Sequence, residues 1–300
     1  MIGASVRGAA HERTGTPNQD GLGWWPPAAA QADGPAAQTV LLAVADGHGG
    51  AGYPCSHLGA RYAVGTARRL LVREVLPQLA DGSALTDLAH FKRTLSEWLP
   101  KILVRTWLRA IHRHARLYPL DDPTGDNPAD DPQPPTPDSP RPERAKTDPV
   151  VRPFGSTLLA ALLTPAFHLY VQLGDGDILT VSHSGQISRP PLPKDDRLLA
   201  NETTSLCSPE AWRYVRVHFQ PIVETPPALV LLATDGYANS FADESGFEQV
   251  AGDLHTAIRQ DGHTAVARHL PDWLAATSAA GSGDDISVAI AYRSQLDVVE

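Results

Sequence analysis

Four aspartates stand at the ends of short apolar stretches, where a buried β-strand would emerge into solvent. These aspartates and the stretches they adjoin are Asp46 (residues 40–45), Asp175 (169–173), Asp235 (229–233) and Asp284 (286–290). Short continuous apolar stretches predict buried strands. If the strand ends lie together, the carboxylates repel one another unless cations neutralise them. Clusters of oxygen ligands suit the hard ions Mg²⁺ and Mn²⁺, so the pattern predicts a metal site.

The Asp-Gly pairs have a second interpretation, because Asp-Gly is also a common hairpin turn. At Asp175-Gly176 a hairpin is as good an interpretation, since Asp177–Val181 follows as a further strand. No returning strand follows Asp46 or Asp235. Asp284 alone fits an ordinary polar start of a strand. The group of four, rather than any single member, therefore carries the prediction of a metal site.

Composition bounds the class of protein. The chain has 300 residues, of which 42% are hydrophobic and 20% charged, enough for one large or two small globular domains. A net charge of −9 and a pI of about 5.7 argue against nucleic acid as the main partner. We interpret Arg68-Arg69 and the basic residues from Arg109 to Arg116 as solvated helix faces. Two unpaired cysteines, no signal peptide and no apolar stretch of membrane length predict a cytoplasmic protein.

Strands and helices occur in blocks, which favours an α+β fold with antiparallel sheets. Helices are predicted over residues 56–79, over 85–117 with a break or kink at Pro100, and within 247–276. Strands at residues 157–163, 167–173 and 177–182 predict a meander. Residues 119–153 hold 11 of the 27 prolines and predict a disordered insertion, and residues 190–225 predict an irregular segment.

Six motifs, in order along nearly the whole chain, resemble those of the metal-dependent serine/threonine phosphatases of the protein phosphatase 2C (PPM) family, bacterial type. They are Asn18-Gln19-Asp20, residues 44–50 (VADGHGG), Phe154-Gly155-Ser156-Thr157, Gly174-Asp175-Gly176-Asp177, Ala233-Thr234-Asp235-Gly236 and Asp284-Asp285-Ile286-Ser287. The resemblance implies one domain over residues 1–300. It implies two stacked antiparallel β-sheets flanked by pairs of helices, with the metal site at one edge and a flap at 190–225.

The resemblance also implies residue roles around two or three Mn²⁺ or Mg²⁺ ions. Asp46 would bridge two ions, with the Gly47 carbonyl on one of them. Asp235 and Asp284 would hold the other, and Asp175 would join Asp235 on a third. Asp20 would act mainly through metal-bound water, and a hydroxide bridging two ions would attack the phosphate.

Proton transfer and phosphate binding need further groups. The resemblance implies that His48 protonates the leaving serine or threonine oxygen, a task suited to the ordinary pKa of histidine. Many members carry a phosphate-binding arginine where this chain has Gly15. We expect Arg13 or Arg7, ahead of His11, to take that role.

Departures from the family motifs leave some points open. Gln19 replaces a common glutamate, Asp177 replaces an arginine, and Asp285 replaces a frequent asparagine, adding charge that would tighten or crowd the site. In the flap, Trp212, Arg213 and Arg216 either contact a phosphoprotein or pack the loop down.

The implied activity is hydrolysis of phosphoserine and phosphothreonine in proteins, with a serine/threonine kinase or its targets as partner. One alternative is a catalytically weak regulatory or scaffold protein, motivated by Gly15 and the acidic, proline-rich insertion. The other alternative is a hydrolase of small phosphate esters.

Overall fold

The computed structural model describes residues 1–26, 39–80, 82, 86–120, 147–193 and 204–293. Parts of three predicted loops lie outside the described residues. They are 27–38 of the connection after Trp24-Trp25, 121–146 of the predicted insertion, and 194–203 of the predicted flap. Among the described helices, none combines the length and the apolar character that crossing a bilayer requires.

The first sheet has five strands in the order β1-β10-β9-β6-β7, and every neighbouring pair is antiparallel. Its strands are β1 (Ile2–Val6), β6 (Asp177–Val181), β7 (Ile187–Ser188), β9 (Leu229–Ala233) and β10 (Ile286–Tyr292). The second sheet also has five antiparallel strands, in the order β2-β3-β4-β5-β8. Its strands are β2 (Gly21–Trp25), β3 (Val40–Ala45), β4 (Leu158–Leu163), β5 (Phe167–Leu173) and β8 (Arg216–Pro221).

Helices cover the outer face of each sheet. The second sheet packs against α2 (Ser56–Leu70), which continues through a π-helical turn (Leu71–Val75) into α3 (Leu76–Ala80), and against α4 (Leu88–Leu117). The first sheet packs against α6 (Glu244–Asp261) and α7 (His263–Ala280). Two short helices, α1 (Ala9–Thr14) and α5 (Asp235–Ala238), lie near the strand ends.

The inner faces of the two sheets form a third apolar layer. Leu42 and Val44 of β3 meet Ile178 of β6 and Leu232 of β9 there, and each of these side chains is at most 3% exposed. Strands buried on both faces have continuous apolar sequences, which is the pattern that predicted them. The predicted α+β architecture, two stacked antiparallel sheets flanked by helices, is confirmed.

Three details of the predicted strands and loops are wrong. The third strand of the predicted meander, β6, leaves β4 and β5 and pairs with β9 in the other sheet. Residues 190–225 are not irregular throughout, because Arg216–Pro221 forms β8 at the edge of the second sheet. Part of the predicted disordered insertion is folded, since Val151 is fully buried in the core.

Of the break or kink predicted at Pro100, the break is absent. Helix α4 runs through Pro100 from Leu88 to Leu117. A proline inside a helix costs about 3 kcal/mol. Four large side chains of α4 are each at most 3% exposed, and each contributes about 1.5–3 kcal/mol by its burial, so packing outweighs the proline. They are Leu95, Leu99, Leu103 and Trp107.

Strand pairing brings the four aspartates to one edge of the sandwich. In the second sheet Gly21 pairs with Ala45, so Asp20 and Asp46 are neighbours across that pair. In the first sheet Ala233 pairs with both Asp177 and Val288, which places the loops bearing Asp175, Asp235 and Asp284 at the same end. The crossing from β5 to β6 at Asp175 joins the two sheets at this edge.

Candidate functional site

Five buried or half-buried carboxylates meet at this edge. Burial raises the pKa of Asp46 well above its usual range, and the negative charges of its four neighbours raise it further. Those neighbours are Asp20, Asp235, Asp284 and Asp175. Burial, followed by the charges of Asp175 and Asp284, raises the pKa of Asp235 to about 6, against a hydrogen bond with Asp46 that lowers it. The structure therefore brings together the five aspartates that the resemblance implies for the metal site.

Asp20 is the most enclosed of the five. It is 5% exposed, and burial raises its pKa to about 8, although the nearby Ser287 and Thr234 hydroxyls lower it. Thr234 Oγ1 donates to Asp20 Oδ2 at 2.8 Å, whereas the Ser287 hydroxyl donates to Ser5 at 2.7 Å. Within the described structure, Asp20 Oδ1 is buried and has no hydrogen-bond partner. A cation placed beside this acid would favour its ionised form.

This donor set fits hard divalent cations. It supplies carboxylate oxygens only, some of them buried, and their mutual repulsion is relieved by positive charge placed among them. Nearby, His11, Asp284 and Asp285 form a further group in which one potential ligand atom of each lies within 4.8 Å of the others. Asp284 belongs to both groups.

Asp285 adds charge at the site, as expected, since it contributes to the raised pKa of Asp20, and it has a second role as well. Its side chain is buried, and its two oxygens accept backbone hydrogen bonds from Gly8 and Gln19, both at 2.6 Å. His11 Nδ1 lies 3.0 Å from Asp285 Oδ1. Asp285 thus ties the strand-β10 loop to the N-terminal segment that carries Asp20. Sequence reasoning missed this role, because the partners are more than 260 residues away along the chain.

The loops that carry Asp46 and Asp235 are held by specific contacts. The backbone N–H of Asp46 donates to Thr157 Oγ1 at 2.9 Å, and the Thr157 N–H donates to the Asp46 carbonyl at 2.8 Å. At Asp235-Gly236 another segment approaches closely, since a Cβ on Gly236 would lie 2.2 Å from the Asp285 carbonyl oxygen. Only glycine fits there, so Asp-Gly marks close packing here, and no hairpin follows.

Two side-chain hydrogen bonds hold the loop that carries Asp175. Gln172 Nε2 donates to the Gly176 carbonyl at 2.6 Å, and Arg216 donates to the Gly174 carbonyl at 2.8 Å. Arg216 therefore contacts the loop that carries Asp175. Trp212, the other flap residue in question, has the charged groups of Lys101 and Arg213 over its ring at 5.3 and 5.2 Å.

His48 lies beside the carboxylates in a half-buried position. The backbone N–H of His48 donates to the Gly155 carbonyl at 3.1 Å, and its imidazole packs edge-on against the Tyr53 ring, with the ring centroids 5.1 Å apart. Burial lowers the pKa of His48, and the charge of Asp175 opposes that shift. A Cβ on Gly155 would come within 2.7 Å of His48 Cδ2 and of the Tyr53 ring. The Phe154-Gly155-Ser156-Thr157 motif thus leaves space for the imidazole.

The basic residues near the site are placed unequally. Arg7 donates to the carbonyl of His11 at 2.7 Å, and Arg13 is exposed on α1. His11, expected to be the weaker candidate, has Nε2 4.0 Å from Asp284 Oδ1. Asp177, which replaces the motif arginine, forms an ion pair with Arg189, and Arg189 also contacts Glu244 at 3.0 Å.

Comparison with known proteins agrees with this geometry. A family model described as Protein phosphatase 2C matches residues 7–275. The fold is similar to that of the serine/threonine phosphatase Stp1 from Staphylococcus aureus, with 13% identity, a TM-score of 0.58, and 98% of this chain and 96% of that chain covered. The Mycobacterium tuberculosis serine/threonine phosphatase PstP/Ppp is 18% identical with a TM-score of 0.54, over 97% of this chain and 96% of that chain.

A third solved structure, PppA, a regulatory component of T6SS in Pseudomonas aeruginosa, is 17% identical with a TM-score of 0.51, over 96% of this chain and 94% of that chain. No sequence among the curated proteins shows significant similarity to the chain. At these identities the solved structures show a shared fold, and the family model, which spans most of the chain, shows the family. The chain therefore belongs to the protein phosphatase 2C family of serine/threonine protein phosphatases, and it is a hydrolase.

Proposed function

We propose that this protein removes phosphate from phosphoserine and phosphothreonine in proteins, using two or three Mn²⁺ or Mg²⁺ ions. The observation that carries the proposal is the convergence of five aspartates whose burial and mutual repulsion raise the pKa of Asp46. Asp46 would bridge two ions, and Asp235 and Asp284 would hold the second. Asp175, with Asp235, would hold the third ion. The Gly47 carbonyl would complete the first site, and Asp20 would act through an intervening water.

Divalent ions bound here would neutralise the phosphate oxygens and lower the pKa of the attacking water. The protein supplies position and protons. His48 would donate the proton that the leaving serine or threonine oxygen requires. Because burial lowers the pKa of His48, its protonated form depends on nearby negative charge, which Asp175 and the substrate phosphate provide.

Phosphate binding needs a cationic donor at the N-terminal side of the site. Arg13 and Arg7 are the proposed donors. His11 is a further candidate, because it already lies next to Asp284. The matched region covers residues 7–275, and we propose that residues 1–300 form one phosphatase domain. The proposed partner is a serine/threonine kinase or its targets, and the cytoplasmic location stays a prediction.

The test is phosphate release from a phosphothreonine peptide, with and without Mn²⁺, for wild type, Asp235→Asn and the control Asp272→Asn. Asp272 is an exposed aspartate on α7 and is not one of the five clustered aspartates. We expect Mn²⁺-dependent release in wild type and control, and loss of release in Asp235→Asn with the fold retained.

Three other results would contradict the proposal. Equal turnover in Asp235→Asn would remove the assigned metal site. A kcat/KM for small phosphate esters above that for phosphopeptides would favour a small-ester hydrolase. Phosphopeptide binding without release, in a wild type that binds Mn²⁺, would favour a regulatory protein.

A further inference from the structure

A basic groove lies on the helical layer outside the second sheet, between α2 and α4. It encloses about 890 Å³. Six arginines line it, four from α2 and its π-helical continuation and two from α4: Arg61, Arg68, Arg69, Arg73, Arg109 and Arg113. All six are exposed, and none takes part in an ion pair with another described residue. The two basic helix faces, interpreted from the sequence as solvated, thus face one groove.

The charge of the groove is opposite to that of the whole chain. Net charge is −9, yet this one surface gathers six of the 25 basic residues. Its effect reaches a neighbouring side chain, since the charges of Arg61 and His114 add to burial in lowering the pKa of His57. Six guanidinium groups without carboxylate partners among the described residues favour a ligand with several carboxylate or phosphoryl groups.

The groove also has apolar and hydroxyl surface suited to a peptide. Tyr118 and Leu117 line it and are 65% and 63% exposed. At its base the Tyr62 hydroxyl lies 3.0 Å from His114 Nδ1, which fixes the two helices relative to each other. Exposed aromatic and aliphatic side chains beside arginines are the composition of protein-binding surfaces.

Helix α2 connects the groove to the catalytic edge. Its first residue, Ser56, accepts a hydrogen bond from Gln19 Nε2 at 2.9 Å, and Gln19 precedes Asp20. At 1.5 Å per residue, Arg61 and Arg73 lie about 8 and 26 Å from Ser56 along the helix. An extended peptide spans those distances in about two to eight residues. A substrate with its phosphoresidue at the cluster can therefore reach the groove.

We propose that this groove docks an acidic segment of the protein substrate, rich in carboxylates, at a distance from the residue that is dephosphorylated. The inference rests on the proposed phosphatase function. A chain of net charge −9 repels acidic substrates in general, so a local basic groove selects those that place negative charge at the correct spacing.

Binding without turnover tests the docking step by itself. The probes are two phosphothreonine peptides, one with glutamates about two to eight residues from the phosphothreonine and one with glutamines instead. Fluorescence anisotropy is measured in EDTA, where the metal-free aspartates repel phosphate and binding reports the groove. The variants are Arg109→Glu/Arg113→Glu and, across the groove, Arg68→Glu/Arg69→Glu. The control is Arg259→Glu/Arg268→Glu on α6 and α7, which are exposed arginines on the other helical layer.

We expect each groove variant to bind the glutamate peptide about tenfold more weakly, with the control unchanged and binding reduced by salt. With Mn²⁺, the groove variants should raise KM for that peptide and leave kcat and turnover of p-nitrophenyl phosphate unchanged. Equal affinity across all variants overturns the proposal. Tighter binding of single-stranded nucleic acid than of the peptide also overturns it, in favour of a nucleic-acid site. If wild type releases no phosphate, the phosphatase function fails, and the EDTA binding still decides the docking step.

Discussion

Replacing Asp20 with asparagine should stabilise the metal-free protein at neutral pH. Burial raises the pKa of Asp20 from 3.8 to about 8, so at pH 7 folding must protonate a group that is ionised in the unfolded chain. Each pH unit above the unfolded pKa adds about 1.4 kcal/mol to that cost, or about 4 kcal/mol at pH 7 as an upper bound. Asparagine has nearly the same shape, carries no charge to desolvate, and keeps an acceptor for the Thr234 hydroxyl.

The sign of the pH dependence follows from the raised pKa. Below pH 3.8 both folded and unfolded chains hold the proton, so the wild type and the Asp20→Asn protein should differ little. As pH rises towards 8 the wild type loses stability that the Asp20→Asn protein keeps, and above pH 8 the difference is constant. Mn²⁺ should reverse the order at pH 7, because bound cations stabilise the ionised cluster of the wild type more than that of the variant.

Chemical denaturation in EDTA from pH 4 to 8, repeated at pH 7 with Mn²⁺, measures both effects. The control is Asp272→Asn, an exposed substitution expected to change the free energy of unfolding by less than about 0.5 kcal/mol. Asp20→Asn protein that is less stable than wild type at pH 7 in EDTA would refute the reasoning. The reasoning would also be refuted if the difference in unfolding free energy between the two proteins did not grow with pH, since the ionisation of a desolvated carboxylate requires that growth.

Two substitutions test how the site is held. Gly155→Ala places a Cβ 2.7 Å from His48 Cδ2, so we expect the imidazole to move and kcat to fall about tenfold or more. The affinity for Mn²⁺, measured by calorimetry, should not change. An unchanged kcat would show that the ring has room to shift. Asp285→Ala leaves the buried N–H groups of Gly8 and Gln19 without acceptors. We expect this to lower the free energy of unfolding, measured in urea, by about 2–4 kcal/mol. A loss below about 1 kcal/mol would show that water replaces the carboxylate.

The acidic edge was predictable from sequence because its signals are local. Each aspartate adjoins an apolar strand, and antiparallel pairing then forces the strand ends together, as Gly21 with Ala45 shows. Local patterns of this kind survive folding, because the burial of the strands decides where their polar ends emerge.

Contacts between distant segments left no such signal. The sequence predicts that Asp285 adds charge at the site, but it does not predict that its oxygens accept hydrogen bonds from the N–H groups of Gly8 and Gln19. The strand β6 follows β5 after a turn of hairpin type, yet it pairs with β9 in the other sheet. Pro100 predicted a break or a kink, and packing against the second sheet overrides the break. In each case the deciding partner is far along the chain, and tertiary contact outweighs local preference.

The arginine groove shows why the distribution of charge matters more than its sum. The net charge of −9 predicts no general affinity for polyanions, but it averages an acidic edge with a basic groove. At the acidic edge, burial and the neighbouring carboxylates raise the pKa of Asp46, so cations bound there would be stabilising. The groove is lined by six exposed arginines, whose positive charges favour the binding of anions. Helix α2 starts beside the acidic edge and lines the groove, so a substrate that docks as proposed must present its negative charges along this helix.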